Sequence, residues 1–523
     1  MNNQKKINTN RKIEGKNKEA FYLIIRGVEV GLFAALVSVL YRYLLSYAEK
    51  GLMDVLDFVK GNPVKISIWL LILAILGAIV ASINDLVPLA SGSGIPQLNG
   101  EVKGHLDASW WQIIIAKLVG GTISVFSGLS LGREGPSVQL GGMAGKGIAR
   151  LTNADKTTEL RMTSCGAGAG MAAAFNAPLA GTMFVLEELH HSFDKSLLCM
   201  GIVATVTADY TSKLFFGQST IFGYDTVNFP LRHYWLLIAM GIFLGVCGVV
   251  YNVVMLKMQD LYKKIKAVGQ YVKLPAVFIF SGIVGLVLPQ VLCGGHTMVE
   301  LLLSEHPSIA VMSFLLIAKF LFGAICFSSS APGGTLYPLC ILGTYLGAVF
   351  GSGAISLFGL NDALWEEFVV IGMAGLFSSI VRAPITGIVL VFELTGNMNN
   401  LLPLATASLI SYAVANLIGT QPFYEALLTR LIEGSNEDVK FSRRSEKIIK
   451  SFVIPIGSPL DRKKIKDINW GRHVLIVTVE RGEESITPNG DVELRSDDEV
   501  VFLISQRRLA EDIERLEELF TCM

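Results

Sequence analysis

The residues of this sequence that are best placed to do chemistry are carboxylates inside long apolar stretches. Glu134 lies in the segment Gly132-Arg133-Glu134-Gly135-Pro136, between two glycines. An ionisable side chain within a membrane segment costs roughly 2.5–3.5 kcal/mol on insertion scales, so it is expected to be functional. When ionised, such a carboxylate can occupy an anion site as a substitute anion, and when protonated it can leave that site. We therefore predict that Glu134 is both a gate and a proton carrier.

The residues around Glu134 predict the backbone of an anion site. Proline is common at the first position of a helix, so Pro136 indicates a helix start. A helix N-terminus carries partial positive charge and free N–H groups, which together favour an anion. Arg133 and Gly135 are therefore candidate anion-binding residues. The alternative is a structural pair between Arg133 and Glu134, but adjacent residues do not face each other on a helix.

Two further segments share this pattern of glycines followed by proline. In Ser91-Gly92-Ser93-Gly94-Ile95-Pro96, the Ser93 hydroxyl is a candidate donor to an anion, and a tight membrane turn is the alternative. In Gly333-Gly334-Thr335-Leu336-Tyr337-Pro338, the backbone N–H groups of Thr335 and Leu336 are candidate donors. No carboxylate stands in the last segment.

Two adjacent acids, Glu187 and Glu188, stand at the end of the apolar run that starts at Leu179. In Glu187-Glu188-Leu189-His190-His191, an acid at position 188 could pass protons inward. Both glutamates also form Glu-x-x-His spacings, which di-metal carboxylate bundles use. Such sites need a second copy of the motif, and the sequence holds none, so His190 and His191 are predicted to be interfacial residues. A membrane metalloenzyme remains the remote alternative.

The elements that must position these residues are membrane helices. Apolar residues make up 51% of the 523 residues, charged residues only 17%, and the net charge is zero, so nucleic acid is not an implied partner. Runs long enough to span a bilayer recur from residue 21 to 418. The basic tail 1–20 predicts a cytoplasmic N-terminus. We expect an all-α polytopic membrane domain over 21–430.

An internal repeat divides this domain into halves of about 200 residues, 21–220 and 231–430. Ile115-Ala116-Lys117 recurs as Ile317-Ala318-Lys319, and at the same offset Gly132 and Pro136 match Gly334 and Pro338. Glu393 matches Glu187, which leaves Glu188 without an acidic counterpart. Transporters built from two related halves place their substrate sites where broken helices meet near the midplane. The repeat alone leaves open whether the halves are inverted or parallel.

The composition changes after Ile418. Residues 431–450 read as a linker, and 451–523 as a small α+β domain with short strands near 452–454, 474–477 and 500–504 and a closing helix over 509–519. Such a length is within the usual range for a separate domain.

Together these motifs strongly resemble the CLC family of chloride channels and chloride/proton exchangers, over about residues 20–430. The motifs that carry the resemblance are Gly-Ser-Gly-Ile-Pro at 92–96, Gly-Arg-Glu-Gly-Pro at 132–136, Ala-Ala-Ala-Phe-Asn-Ala-Pro-Leu-Ala-Gly at 172–181 and Ala-Pro-Gly-Gly at 331–334. The resemblance implies two inverted halves whose broken helices meet at the pore, and a homodimer with one pore per subunit. It implies a multi-pass protein of the cell membrane that is not an enzyme and holds no cofactor beyond bound chloride.

The resemblance also implies residue roles. Ser93 and the hydroxyl of Tyr424 would coordinate chloride, the backbone of Thr335 and Leu336 would add donors, and Glu134 would be the external gating glutamate. Leu336 stands where the family usually has phenylalanine, but the backbone N–H survives that change. Glu188 matches the internal proton site of exchangers, so we expect H+/Cl− exchange, with a passive voltage- or pH-gated chloride channel as the alternative.

The C-terminal domain resembles the C-terminal subdomain of potassium-conductance regulators (RCK_C, TrkA-C). The resemblance implies a prokaryotic protein, a cytoplasmic C-terminus and a domain that dimerises. Some such domains bind a regulator such as cyclic di-AMP. An appendage that only stabilises the dimer is the alternative.

Overall fold

The computed structural model of the chain describes residues 2–218, 222, 224, 227–265, 269–396, 401–434, 447–471, 474–482, 484–505 and 509–520. In this part of the chain the first half forms the helices α1 (Asn2–Val59), α2 (Pro63–Leu86), α3 (Ile95–Val102), α4 (Trp110–Phe126), α5 (Glu134–Leu151), α6 (Lys156–Phe175), α7 (Pro178–Phe184) and α8 (Lys195–Phe216). The second half forms α9 (Tyr234–Lys264), α10 (Gln270–Val287), α11 (His296–Glu305), α12 (Ile309–Ser328), α13 (Leu336–Phe358), α14 (Trp365–Val381), α15 (Pro384–Thr395), α16 (Leu401–Leu417) and α17 (Phe423–Gly434).

The two halves contain matching sets of helices, and α17 closes the domain. The predicted repeat is visible in the starts of α5 and α13, because Glu134 and Leu336 are the first helical residues of the two segments that the repeat aligns. Among the described residues, seven helices are long and apolar enough to cross a membrane. The predicted all-α polytopic membrane fold is confirmed. The basic tail 1–20 is the start of α1 rather than a separate segment.

Helix breaks occur where the sequence predicts them. Pro96, Pro178 and Pro384 stand within the first two positions of α3, α7 and α15, where the missing N–H leaves no bond unmade. Gly94 precedes α3 with φ of 97°, a left-handed backbone that glycine adopts without steric cost. At the starts of α7 and α15 the N–H groups donate to carboxylates of the protein, as a helix break at membrane depth requires.

Glycines allow the central helices of each half to touch. A Cβ added to Gly141 of α5 would lie 2.7 Å from the Cα of Gly170 in α6, and one added to Gly343 of α13 would lie 2.7 Å from the Cα of Met373 in α14. Small residues that let backbones approach closely are the usual basis of helix packing in membranes. Close helix packing at a glycine therefore occurs at matching places in both halves.

Substitution of Gly141 by alanine is expected to lower the free energy of unfolding by about 1–3 kcal/mol, because the added methyl group overpacks the contact with α6. Gly353 of α13 is the matched control, since a Cβ there would meet nothing within 4 Å. Gly353→Ala should leave stability unchanged or raise it by up to about 1 kcal/mol. Thermal unfolding of the purified variants in detergent compares them, and equal stability of the two variants would contradict this packing account.

The C-terminal domain is a four-stranded antiparallel sheet covered by one helix. The strands β1 (Lys447–Val453), β2 (Val474–Arg481), β3 (Glu484–Ile486) and β4 (Glu499–Ser505) lie in the order β1-β4-β2-β3, and α18 (Leu509–Phe520) follows. The predicted α+β class, strands and closing helix are confirmed, while β1 begins inside the segment predicted as linker. Phe452, Phe502 and Phe520 meet in its core at ring-centroid distances of 5.2–5.9 Å.

The C-terminal domain packs against one side of the membrane domain. Leu160, near the start of α6, contacts the apolar core of the small domain. The 15 residues of α6 that follow Leu160 then lead about 22 Å away from that contact. At the far end, the ring of Phe175 lies 6.5 Å from the ring of Tyr337. We call the two sides of the membrane domain the domain side and the far side.

Candidate anion site

The three glycine-rich segments predicted from the sequence meet in the centre of the membrane domain. Gly132 N–H donates to the carbonyl of Gly334 at 2.6 Å, and Gly334 N–H donates to the carbonyl of Gly132 at 2.7 Å. The third segment joins the second half in the same way, since Gly92 N–H donates to Ser330 O at 3.0 Å and Gly333 N–H donates to Gly92 O at 3.1 Å. Backbone pairing therefore fixes the helix starts of α5 and α13 against each other.

The three segments of this junction approach one another closely at Gly135. A Cβ at position 135 would lie 2.5 Å from Ser93 Oγ and 3.0 Å from the Cα of Gly334. Any side chain there would push the Ser93 segment away from the α5 N-terminus. Gly135 thus has a steric role, which adds to the backbone role that its sequence position predicts.

Glu134 is fully buried at the N-terminus of α5. Its carboxylate oxygens have no side-chain hydrogen-bond partner among the described residues, and the donors near them are backbone N–H groups of Arg133, Glu134 and Tyr337. The Oε2 atom lies directly against Gly132. Backbone N–H groups at a helix start bind anions, so this carboxyl group occupies a position that also suits an anion. The α5 N-terminus attracts an anion to that position.

Arg133 contacts Glu134, although helix spacing disfavours a pair between neighbours. Arg133 Nε lies 3.6 Å from Glu134 Oε1. The helix rule does not apply, because Arg133 is the residue before the first helical residue of α5. This separation is longer than that of a charge-assisted hydrogen bond. The guanidinium belongs to a solvent-facing cavity rather than to the buried centre.

That cavity opens on the far side, and we call it the far vestibule. It has a volume of about 350 Å³ and reaches Glu134 between walls that include Arg42, Glu49, Arg133, His296 and Tyr337. Arg42 is held in the wall by the ring of Phe216, 4.0 Å from its guanidinium carbon. Two arginines in a confined cavity raise the local concentration of anions.

Three buried hydroxyl groups surround the junction of the segments. Ser93 and Thr335 are each 3% exposed and Tyr424 is 0% exposed. The Ser93 hydroxyl oxygen has no hydrogen-bond partner in the described part of the chain, and the hydroxyl groups of Thr335 and Tyr424 lie close to each other. A small anion would accept hydrogen bonds from such donors. The roles of Ser93 and Tyr424 as chloride ligands stay a prediction.

Thr335 and Leu336 form the N-terminus of α13. Thr335 occupies the N-cap position without a side-chain cap, and Leu336 is the first helical residue. Leu336 is completely buried, so it fills space in the protein rather than lining an open channel. The first N–H groups of a helix have no partner within the helix, so the backbone role predicted for both residues stays a prediction that this helix start allows.

Tyr337 is a residue of the site that the sequence did not single out. Its ring stacks on Phe222 at a centroid distance of 5.9 Å and an angle of 16°. His296 Nδ1 lies 3.2 Å from its hydroxyl oxygen. The signal that could have found it is its place between Leu336 and Pro338 in a predicted binding segment.

Glu188 lies away from these segments, in the direction of the domain side. It belongs to a π-helical turn, Val185–Leu189, that continues α7. The side chain is 3% exposed, and its Oε1 has no partner among the described residues. Two residues later, His190 lines a cavity shared with the C-terminal domain. A buried acid beside such a cavity suits proton entry from the domain side.

The neighbouring acid, Glu187, has a structural role. Its carboxylate accepts from Ile385 N–H at 3.1 Å and from Thr386 N–H at 2.7 Å, so it caps α15. Glu393, its repeat counterpart, accepts from Leu179 N–H at 3.0 Å and Ala180 N–H at 2.8 Å, so it caps α7. Each half thus caps a helix of the other.

The two Glu-x-x-His pairs do not converge on one point. Glu187 is engaged by α15, while His190 Nε2 lies 2.8 Å from Ser164 Oγ. His191 Nε2 lies 3.4 Å from Glu425 Oε1 on α17. Three of the four side chains are therefore engaged elsewhere, and the described residues hold no group of three or more His, Cys, Asp or Glu side chains that could bind a metal ion.

Comparisons with known proteins agree with this arrangement. The family model described as voltage gated chloride channel matches residues 74–416, and the TrkA-C domain model matches 449–520. The H(+)/Cl(−) exchange transporter ClcA of Salmonella arizonae is 32% identical over 433 residues, covering 81% of this chain and 91% of that protein. The protein of the same name from Vibrio campbellii is 34% identical over 430 residues, covering 80% and 92%.

Solved structures show the same fold. A slow cyanobacterial Cl−/H+ antiporter is similar with a TM-score of 0.76 and 27% identity, over 79% of this chain and 99% of that chain. A eukaryotic CLC transporter is similar with a TM-score of 0.66 and 18% identity, over 98% of this chain and 90% of that chain. This chain therefore belongs to the voltage gated chloride channel (CLC) family and carries a C-terminal TrkA-C domain.

Proposed function

We propose that this protein exchanges chloride for protons across the cell membrane. The observation that carries the proposal is the buried Glu134 carboxyl group at a helix N-terminus, whose charged neighbour, Arg133, lies 3.6 Å away, together with the buried hydroxyl groups of the same site. An ionised Glu134 competes with chloride for the α5 N-terminus. A protonated Glu134 leaves that position, so anion entry and proton uptake alternate at one place.

In this proposal Ser93 Oγ and Tyr424 Oη hold the central chloride, and the N–H groups of Thr335 and Leu336 add donors from the second half. Arg133 attracts chloride into the far vestibule. Glu188 exchanges protons with the domain side. The names of the curated relatives, which are H+/Cl− exchange transporters, support exchange over a passive channel.

Chloride-driven proton movement in reconstituted vesicles tests this function. An outward chloride gradient, with the membrane potential clamped by a potassium ionophore, should drive protons into the vesicles against their own gradient. Chloride efflux without proton uptake would instead establish the passive channel of the same fold.

We also propose a homodimer with both termini in the cytoplasm and a C-terminal domain that responds to a small ligand. The support is the TrkA-C match and a cavity of about 510 Å³ between that domain and the membrane domain. Lys450 lies in its wall, where burial lowers the pKa of the ammonium group against the opposing effect of Glu517. Cyclic di-AMP is the candidate ligand.

Calorimetric titration of the full-length protein with cyclic di-AMP, against cyclic di-GMP as the control, tests the ligand. We expect saturable heat with cyclic di-AMP and no binding heat with cyclic di-GMP. If neither dinucleotide releases heat, the result would support the alternative in which the domain only stabilises the dimer.

A further inference from the structure

Three lysines are fully buried in the described part of the membrane domain. Lys146 is paired with Glu101 and Asp107, whereas the exchange mechanism above leaves the other two without a role. Lys117 of α4 is 0% exposed and Lys319 of α12 is 1% exposed. They are repeat counterparts, in Ile115-Ala116-Lys117 and Ile317-Ala318-Lys319. Among the described residues, neither ammonium group lies within 4.0 Å of a carboxylate. An ammonium buried without a counter-ion is costly, so its backbone contacts must compensate.

The contacts of Lys117 are with the Ser93 segment. Lys117 Nζ donates to the carbonyl of Ala90 at 2.8 Å and to the carbonyl of Gly92 at 2.7 Å. Gly92 immediately precedes Ser93, and its carbonyl also accepts from Gly333 N–H at 3.1 Å. The ammonium therefore holds the backbone on the N-terminal side of Ser93 and locks it to the second half.

Two glutamines hold the same segment from its other sides. Gln97 Nε2 donates to Ser91 O at 2.8 Å, and Gly94 N–H donates to Gln97 Oε1 at 3.1 Å. Gln139 Nε2 donates to Leu89 O at 2.8 Å. These are neutral contacts, so the hydrogen bonds from the Lys117 ammonium are the charge-assisted and stronger ones.

Lys319 makes the equivalent contacts in the other half, but at a different place. Its Nζ donates to Val291 O at 2.9 Å and to Cys293 O at 2.8 Å. Cys293 and Gly294 line the far vestibule rather than the buried centre. The two lysines thus have the same burial and the same kind of contact, while only Lys117 is next to a predicted chloride ligand.

We propose that Lys117 is a positioning residue of the anion site, whose ammonium group holds the Ala90–Gly92 backbone so that the Ser93 hydroxyl faces the anion. It does not touch the anion in this role. Its positive charge, which no carboxylate neutralises, also favours an anion at the Ser93 end of the site. The inference rests on the proposed function, because it concerns the chloride that Ser93 holds.

Chloride titration by calorimetry on the purified full-length protein tests the proposal, with Lys117→Met and Lys319→Met compared. Methionine keeps the length of the side chain and removes the charge and the donors. Lys117→Met should weaken chloride binding about tenfold or more, as expected when hydrogen bonds from a charged group are lost. Lys319→Met should keep the wild-type affinity within about twofold, although both substitutions remove a buried ammonium.

A second measurement covers variants that are poorly stable. Chloride stabilises the folded protein by an amount that grows with the logarithm of its concentration relative to its Kd, so the difference in unfolding temperature between chloride and gluconate reports binding for any variant that folds. This difference should be clearly smaller in Lys117→Met than in the wild type, persist in Lys319→Met, and be partly restored in Lys117→Arg, which keeps the charge and donors. Equal losses of the chloride effect in both methionine variants, or none in Lys117→Met, would overturn the proposal.

The outcomes separate this inference from the proposed function. A wild-type protein that binds no chloride would contradict the proposed function itself. A wild-type protein that binds chloride, with Lys117→Met binding equally well, would contradict only the positioning role.

Discussion

Glu134→Gln is expected to reduce proton transport at least about a hundredfold while chloride still crosses the membrane, since loss of a proton-transferring side chain costs about 10²–10⁴-fold. Glutamine has nearly the shape of the protonated acid but cannot ionise. It can neither compete with chloride as an anion at the α5 N-terminus nor release a proton. Chloride flux through this variant should therefore lose its dependence on pH.

The measurement is a paired recording of chloride and proton fluxes from vesicles over a series of pH values. Glu49→Gln is the matched control, because Glu49 lines the far vestibule with Glu134 but does not stand at a helix start. That control should keep both coupling and pH dependence. A Glu134→Gln variant that retains the pH dependence of the wild type would refute the gating role.

Glu188→Gln should likewise reduce proton transport about a hundredfold or more, but through a different step. The substituted side chain no longer relays protons from the domain side, whereas Glu134 still opens and closes the anion site. Chloride flux should continue and should keep its dependence on pH at the far side. The two variants are thus distinguished by pH dependence rather than by loss of coupling.

Glu187→Gln is the control for the second prediction, because it neutralises the adjacent carboxylate without removing the predicted relay. Glu187 accepts hydrogen bonds from the N-terminus of α15, so its replacement should lower thermal stability. Proton coupling per chloride should be unchanged. Full proton pumping by Glu188→Gln would show that the relay lies elsewhere.

The sequence predicted the residues of this site better than it predicted their surroundings. Glu134 and Glu188 stood out because charge in an apolar run is costly, and the binding segments stood out because glycine and proline interrupt helices. These signals are local. The repeat then paired Gly132 with Gly334, and the structure joins those two residues by reciprocal hydrogen bonds.

Contacts between distant parts of the chain were beyond local patterns. The carboxylate of Glu187 caps a helix that begins 197 residues later, at Pro384, and no spacing rule links the two. The stack of Tyr337 on Phe222 joins two segments that the sequence treats separately. Lys117 was visible only as a marker of the repeat, because its role depends on which carbonyl groups surround it.

The start of the C-terminal domain was misplaced for a related reason. Lys447 to Lys450 mix polar and apolar residues and read as linker, but pairing with β4 makes them part of a strand. Pairing across a sheet is a tertiary property that outweighs the composition of a short segment.

A reversal-potential measurement across opposed chloride and proton gradients tests the central claim most directly. For an exchanger that moves both ions, the potential of zero net flux depends on both gradients. With the chloride gradient fixed, a change in the proton gradient should therefore shift the reversal potential away from the chloride equilibrium potential, and Glu134→Gln should abolish the shift. A reversal potential that stays at the chloride equilibrium potential at every pH would contradict exchange and identify a passive chloride pathway.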